Sequence, residues 1–148
     1  MRAVVQRVTR AEVTISGESV GKIDAGLMVL LGVEEGDTEA DGDYIASKLI
    51  GLRIFDDENG MPNKAVSDVS GKILLVSQFT LLGDARKGRR PSYIRAARPE
   101  TAVPLYERMI ATLRKDVPVE TGVFQAVMEI SLVNDGPFTI LLDSRKAF

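Results

Sequence analysis

No cysteine and no histidine occur among the 148 residues. Without cysteine there is no disulfide, no thiolate nucleophile and no zinc–thiolate centre. Without histidine, a Ser-His-Asp triad cannot be assembled within the chain. Catalysis then falls to carboxylates, hydroxyls, lysine, arginine, tyrosine, backbone dipoles or the substrate itself. Long hydrophobic runs are missing too: none approaches the roughly 20 residues that cross a bilayer. The opening stretch, Met1 to Val8, is broken by Arg2 and Arg7 and does not read as a signal peptide. The expectation is a cytoplasmic protein that does not use a membrane. No acidic cluster has ligand spacing, so no metal and no cofactor is expected.

What is present is enough apolar material for a real core. Hydrophobic residues make up 45% of the chain, and the length suits one domain over residues 1–148. Residues 2–9 and 11–16 read as strands, with Val20 to Ile23 as a short return strand. Leu27 to Val33 is a continuous apolar run, as in a strand buried on both faces. The spacing of Tyr44, Ile45, Lys48, Leu49 and Leu52 predicts a helix from about Thr38 to Leu52. Arg53 to Phe55 suits a brief strand, and Lys72 to Phe79 a central one. A second helix is predicted over about Glu100 to Lys115, with Pro104 near its first turn because an interior proline costs about 3 kcal/mol.

Two motif matches fail on context. Gly17-Glu18-Ser19-Val20-Gly21 fits the G-x-S-x-G pattern, but it lies in a tight hairpin and has no histidine partner. Asp37, Glu39 and Asp41 suggest the start of a calcium loop, yet Lys48 stands where the bidentate glutamate belongs.

Three segments carry more. Net charge is −2, but residues 86 to 98 hold Arg86, Lys87, Arg89, Arg90, Arg95 and Arg98 and no acid, so a +6 window sits on a −8 remainder. Such a window is either a solvated loop or a phosphate contact. Ser77-Gln78-Phe79-Thr80-Leu81 ends a buried strand, where hydroxyls, an amide and backbone N–H groups can face a crevice. Asn134-Asp135-Gly136-Pro137-Phe138-Thr139 lies between two apolar runs, Val127 to Val133 and Ile140 to Leu142. Its residue types punctuate most hairpins, so a turn between two strands is the local reading. The sharper reading is a rigid main-chain device, in which a Gly-Pro bond, able to be cis at small cost, aims carbonyl oxygens at a ligand.

Together these segments resemble one family, the D-aminoacyl-tRNA deacylases. The likeness rests on Met1 to Val8, Leu52 to Phe55, Ser77 to Leu81, Lys87 to Ser92 and Asn134 to Thr139, and it spans the chain. It implies a compact α/β domain, with mixed and antiparallel sheets forming a barrel-like sandwich and two main helices on one side. It implies a homodimer with the active site at the subunit interface, acting on the 3′ end of D-aminoacyl-tRNA. The ester is hydrolysed to free tRNA and D-amino acid, glycyl-tRNA is also accepted, and L-amino acids are rejected. By the same resemblance, Ser77, Gln78, Phe79 and Thr80 line the reaction pocket. Gly136 and Pro137, flanked by Asn134, enter the partner's site in the cis form, and Arg7 fixes their orientation. The tRNA surface falls to Lys87, Arg89 and Arg90.

An aminoacyl ester is already activated, so a positioned water and backbone N–H donors at Gln78, Phe79 or Thr80 suffice, aided by the substrate's 2′-hydroxyl. Thr80 as a nucleophile is the alternative, and no base lies beside it in sequence. Gln125, Val127 and Phe138 depart from the residues usual in the family. Two rival functions stay open at this stage, a non-catalytic RNA-binding module and a small structural dimer.

Overall fold

A computed structural model describes residues 1–148. Its elements run β1 (Arg2–Ile15), β2 (Glu18–Ile23), β3 (Gly26–Gly32), α1 (Glu39–Gly51), β4 (Phe55–Asp56), β5 (Pro62–Lys64), β6 (Lys72–Ser77), α2 (Pro99–Leu113), β7 (Val119–Thr121) and β8 (Glu129–Asp143). Six strands form one mixed sheet in the order β2-β1-β3-β6-β7, with β8 on the other side of β1. β1 is antiparallel to β2, β3 and β8, whereas β3 and β6, and β6 and β7, are parallel. The sheet curls into a nearly closed barrel-like form, and β4 pairs with β5 in a separate ribbon.

Strand alternation feeds two apolar cores. Ile73 and Leu75 of β6 face the larger one, with Leu27, Val29 and Leu31 of β3 and the inner faces of both helices. Leu74, Val76 and Met28 point the other way, into a smaller core inside the curl. This is why β3 and β6 read as unbroken apolar runs: both of their faces are covered. β1 serves both cores by changing phase. Ala3 and Val5 face the larger core, whereas Val8, Ala11 and Val13 face the smaller. The ladder with β8 slips between Val8 and Arg10, so Thr9 is a one-residue bulge. Val8 turns to the smaller core by ordinary alternation, and the bulge after it inverts the phase so that Ala11 and Val13 stay on the same face. The expected break between two strands is thus an irregularity within one.

Helix α1 begins at a capping box: Asp41 Oδ2 accepts from the Thr38 N–H at 2.8 Å. In α2, Pro104 sits in the second turn rather than the first, with its ring on an exposed face. The intervening helix tolerates it because the missing N–H removes only the bond to the Glu100 carbonyl near the start. Tyr106 of α2 donates to the Leu75 carbonyl at 2.8 Å and ties the helix to β6. Burial pushes its phenol up to about 12. No helix is long and apolar enough to cross a membrane.

Candidate active site

The expected turn at Asn134 to Thr139 does not reverse the chain. β8 runs straight through it, paired to β1 on both flanks: Asn134 stands opposite Val8, and Thr139 opposite Gln6. Asp135, Gly136, Pro137 and Phe138 all face Arg7 alone, so they leave the sheet as a wide bulge. Turn residues suit a bulge for the same reason they suit a turn, since both require the ladder to be abandoned. The Gly136–Pro137 peptide is cis, as expected.

Two side chains hold the bulge. Arg7 is buried beneath it and donates to the Asp135 carbonyl at 3.1 Å and the Ile54 carbonyl at 2.7 Å. Its guanidinium also pairs with Asp135 and Asp56 and lies 4.4 Å from the centre of the Phe138 ring. Asn134 Nδ2 donates to the carbonyls of Arg7 at 2.9 Å and Phe138 at 3.1 Å, closing the neck. Gly136 and Pro137 at the tip are exposed. A Cβ on Gly136 would meet only Asn134 Oδ1, at 3.7 Å. Nothing within the chain therefore requires glycine there.

A second feature, a cleft of about 550 Å³, opens where β6 ends. Ser77, Gln78 and Phe79 form one wall, Pro99 and Ala102 of α2 another, and Phe124, Gln125, Met128 and Ile130 the third. Past Ser77 the backbone turns through a short 3-10 segment, Phe79–Leu82. The Gln78 N–H is spent on the Leu31 carbonyl at 2.7 Å, so the expectation that it serves as a free donor is corrected: it continues the ladder with β3. The N–H groups of Phe79 and Thr80 open the 3-10 turn and have no backbone acceptor. Phe79 lines the cleft and Thr80 follows it just outside the lining, so two adjacent free donors stand at the cleft edge, an arrangement able to stabilise a developing oxyanion.

Thr80 is exposed and lies outside the cleft lining. Its hydroxyl accepts from the Gln78 side-chain amide. An amide N–H cannot take a proton from a hydroxyl, so the contact offers no general base. No three His, Cys, Asp or Glu side chains are grouped to hold a metal ion.

The basic segment is less uniform than its sequence suggests. A backbone bridge between Asp84 and Ser92, with bonds of 2.8 and 2.9 Å, closes it into a loop with Gly88 at φ +97°. Arg86 binds Asp84 and holds that carboxyl well below the usual carboxylate range. Arg95 is bound to the buried Glu34. Lys87, Arg89 and Arg90 stay exposed at the loop tip, and none of them makes an ion pair.

One chain thus holds two separate groups of expected site residues. Ser77, Gln78 and Phe79 meet at the cleft; Arg7, Asn134, Gly136 and Pro137 meet at the bulge; and no bulge residue lines the cleft. Sequence reasoning missed Ala102, Phe124 and Met128, which reach the cleft only through tertiary packing. Gln125 was noted as a departure, and it is a non-glycine residue at φ +64° facing the cleft.

Comparison with known proteins agrees across the whole chain. The family described as D-Tyr-tRNA(Tyr) deacylase matches residues 4–143. A D-aminoacyl-tRNA deacylase from Desulfitobacterium hafniense is 58% identical over 149 residues, covering 100% of both chains. One from Kosmotoga olearia is 59% identical over 148 residues, again covering 100% of both. A solved structure described as c-Myc DNA Unwinding Element Binding Protein superposes with a TM-score of 0.91 at 41% identity, over 97% of this chain and 98% of that one. A probable eukaryotic D-amino acid tRNA deacylase superposes with a TM-score of 0.81 over 96% of this chain and 98% of its own; at 18% identity it speaks for the fold alone.

Proposed function

This chain belongs to the D-Tyr-tRNA(Tyr) deacylase family, and on that premise we propose that two copies build each active site, the bulge of one entering the cleft of the other. The reaction is hydrolysis of the ester of D-aminoacyl-tRNA. Residues 1–148 act as one deacylase domain, in the cytoplasm, on the 3′ end of the tRNA.

The observation that carries this reading is the clamped, exposed Gly136–Pro137 tip. It is held by Arg7 and Asn134, lies outside its own cleft lining, and has room for a Cβ that the sequence nevertheless omits. A close approach from outside the chain explains that omission. The cleft, in turn, holds no carboxylate to receive an α-ammonium. Carbonyl oxygens from a partner's Gly136 and Pro137 supply those acceptors.

Within the joined site, the ester carbonyl oxygen sits against the N–H groups of Phe79 and Thr80. A water adds to the carbonyl carbon, and the negative charge forming on the oxygen is met by those donors. The carbon–O3′ bond then breaks, and the ribose oxygen takes the proton that the water gives up, relayed by the adjacent 2′-hydroxyl. No protein base is required, which suits a chain without histidine. Gln78 and Ser77 orient the substrate. With the ammonium pinned to backbone carbonyls, a D side chain leaves the site and an L side chain meets the Gly-Pro main chain. Glycine presents no side chain to exclude. The filter works by rejection, so it tolerates many D residues.

Mixing tests the shared site. A protein carrying Gly136→Ala and one carrying Gln78→Ala are each assayed on matched D- and L-aminoacyl-tRNA, then mixed and allowed to exchange subunits. Each variant alone is impaired, and the mixture regains D-specific hydrolysis, because a mixed dimer holds one undamaged site. No recovery despite demonstrated exchange would place cleft and bulge in one chain's site. Equal wild-type rates on both hands would remove the chiral reading.

A further inference from the structure

The cleft does not end at Phe79. The Phe79 ring is 55% exposed and packs edge-to-face on Tyr93, which is 40% exposed, with ring centres 5.3 Å apart and planes at 73°. Tyr93 follows directly on the Asp84–Ser92 bridge and so stands at the base of the basic loop. Its ring is seated against backbone: a Cβ added to Gly83 would come within 3.0 Å of Tyr93 Cε1. The aromatic pair is therefore held in place, and it spans from the cleft lip to the base of the basic loop.

Exposed rings packed against each other form an apolar patch of the kind that marks a binding surface. The surroundings indicate what it binds. Lys87, Arg89 and Arg90 are unpaired, and the loop's own acid, Asp84, is consumed by Arg86. Rings next to unopposed cations form the combination that binds single-stranded nucleic acid, with bases stacking on the rings and phosphates on the charges. We propose that the Tyr93 ring, buttressed by Phe79, is the stacking platform for the base of the nucleotide preceding the terminal adenosine. The inference rests on the deacylase reading above, since it needs the aminoacylated adenosine in the cleft beside Phe79. Phosphates further along the strand run toward Lys87, Arg89 and Arg90. Stacking is indifferent to base identity, so the platform secures the strand without choosing among tRNAs.

The test compares three probes: a D-aminoacyl-adenosine, a D-aminoacyl-CCA trinucleotide, and the same trinucleotide with the middle base removed and its phosphates kept. For the wild type, kcat/KM on the full trinucleotide exceeds that on the abasic one by roughly 5- to 150-fold. In Tyr93→Leu this ratio falls to near one, and in Tyr93→Phe it is kept. Losing the base and losing the ring are then non-additive, as expected of two groups in contact. A wild-type ratio near one, or an unchanged ratio in Tyr93→Leu, overturns the platform. So does a change in sedimenting mass in Tyr93→Leu, which would assign the rings to a subunit contact. Hydrolysis of D-aminoacyl-adenosine by the wild type, with the L form spared, reports separately on the deacylase reading and is untouched by failure of the platform.

Discussion

Replacing Arg7 by methionine separates the scaffold's stability from its selectivity. Methionine keeps most of the apolar stem, so the cavity is small and the loss is chiefly polar. The Ile54 carbonyl, which receives a buried bond of 2.7 Å, loses its donor. A buried acceptor left unpaired costs about 1–3 kcal/mol. The guanidinium stacked 4.4 Å from the Phe138 ring adds about 0.5–2 kcal/mol. The ion pairs add little: Asp56 and Asp135 are 53% and 47% exposed and rehydrate when the cation is gone. The expected loss is therefore about 1.5–5 kcal/mol, read as a lower urea midpoint at unchanged m value. Because Arg7 also holds the Asp135 carbonyl at the root of the bulge, the tip should wander. Discrimination between D- and L-aminoacyl-tRNA should then narrow by at least about tenfold, since a main-chain filter depends on position. A stability loss below about 1 kcal/mol would show that the clamp is not a clamp. The full stability loss with discrimination intact would show that the bulge is held by Asn134 alone.

Neutralising Lys87, Arg89 and Arg90 together should weaken tRNA binding and flatten its salt dependence, by roughly one unit of slope per lost phosphate contact; an unchanged slope would place the tRNA surface elsewhere. Thr80→Ala should retain activity within about tenfold of the wild type, because its hydroxyl has no base beside it; complete loss in a folded protein that still binds tRNA would make it the nucleophile. Alkaline stability should report Tyr106. Its folded phenol is raised from 10.0 to about 12, so its contribution is complete below pH 10 and is lost as pH climbs through about 12. The decline should approach roughly 3 kcal/mol, and Tyr106→Phe should remove that slope in denaturation curves taken across the range.

Both helices were legible because their apolar positions recur at helical spacing, and the central strands because they are apolar without interruption. The two places that misled have one cause. Thr9 and the Asn134–Phe138 stretch each break the local phase, and a broken phase looks the same whether the chain reverses or only leaves the ladder. What decides is that β1 pairs with β8 on both sides of each irregularity, and a local pattern carries no trace of so distant a partner. The proposed donors were legible as a segment, yet the engagement of the Gln78 N–H by Leu31 was not, because it depends on how far the β3–β6 pairing extends. Phe124 and Met128 gave no signal, since their role comes from the packing of an irregular segment over the mouth of the curl.

The pairing of β1 with β8 also orders events in time. β1 meets β3 across a short connection, but the Asn134 side chain reaches Arg7 across 127 positions, and Arg2 reaches Asp143 across 141. Contacts that close such long loops form late in folding. During synthesis, β1 and β3 can associate while β8 is still unmade, which leaves one whole side of β1 with unsatisfied hydrogen-bonding groups. That open side accepts any β8 with the right register, including one from a neighbouring nascent molecule. The bulge clamped by Arg7 and Asn134 thus lies in the last strand of the molecule to be made. Conditions that crowd many unfinished chains together should yield exchanged, intertwined species before they yield chains misfolded in the core.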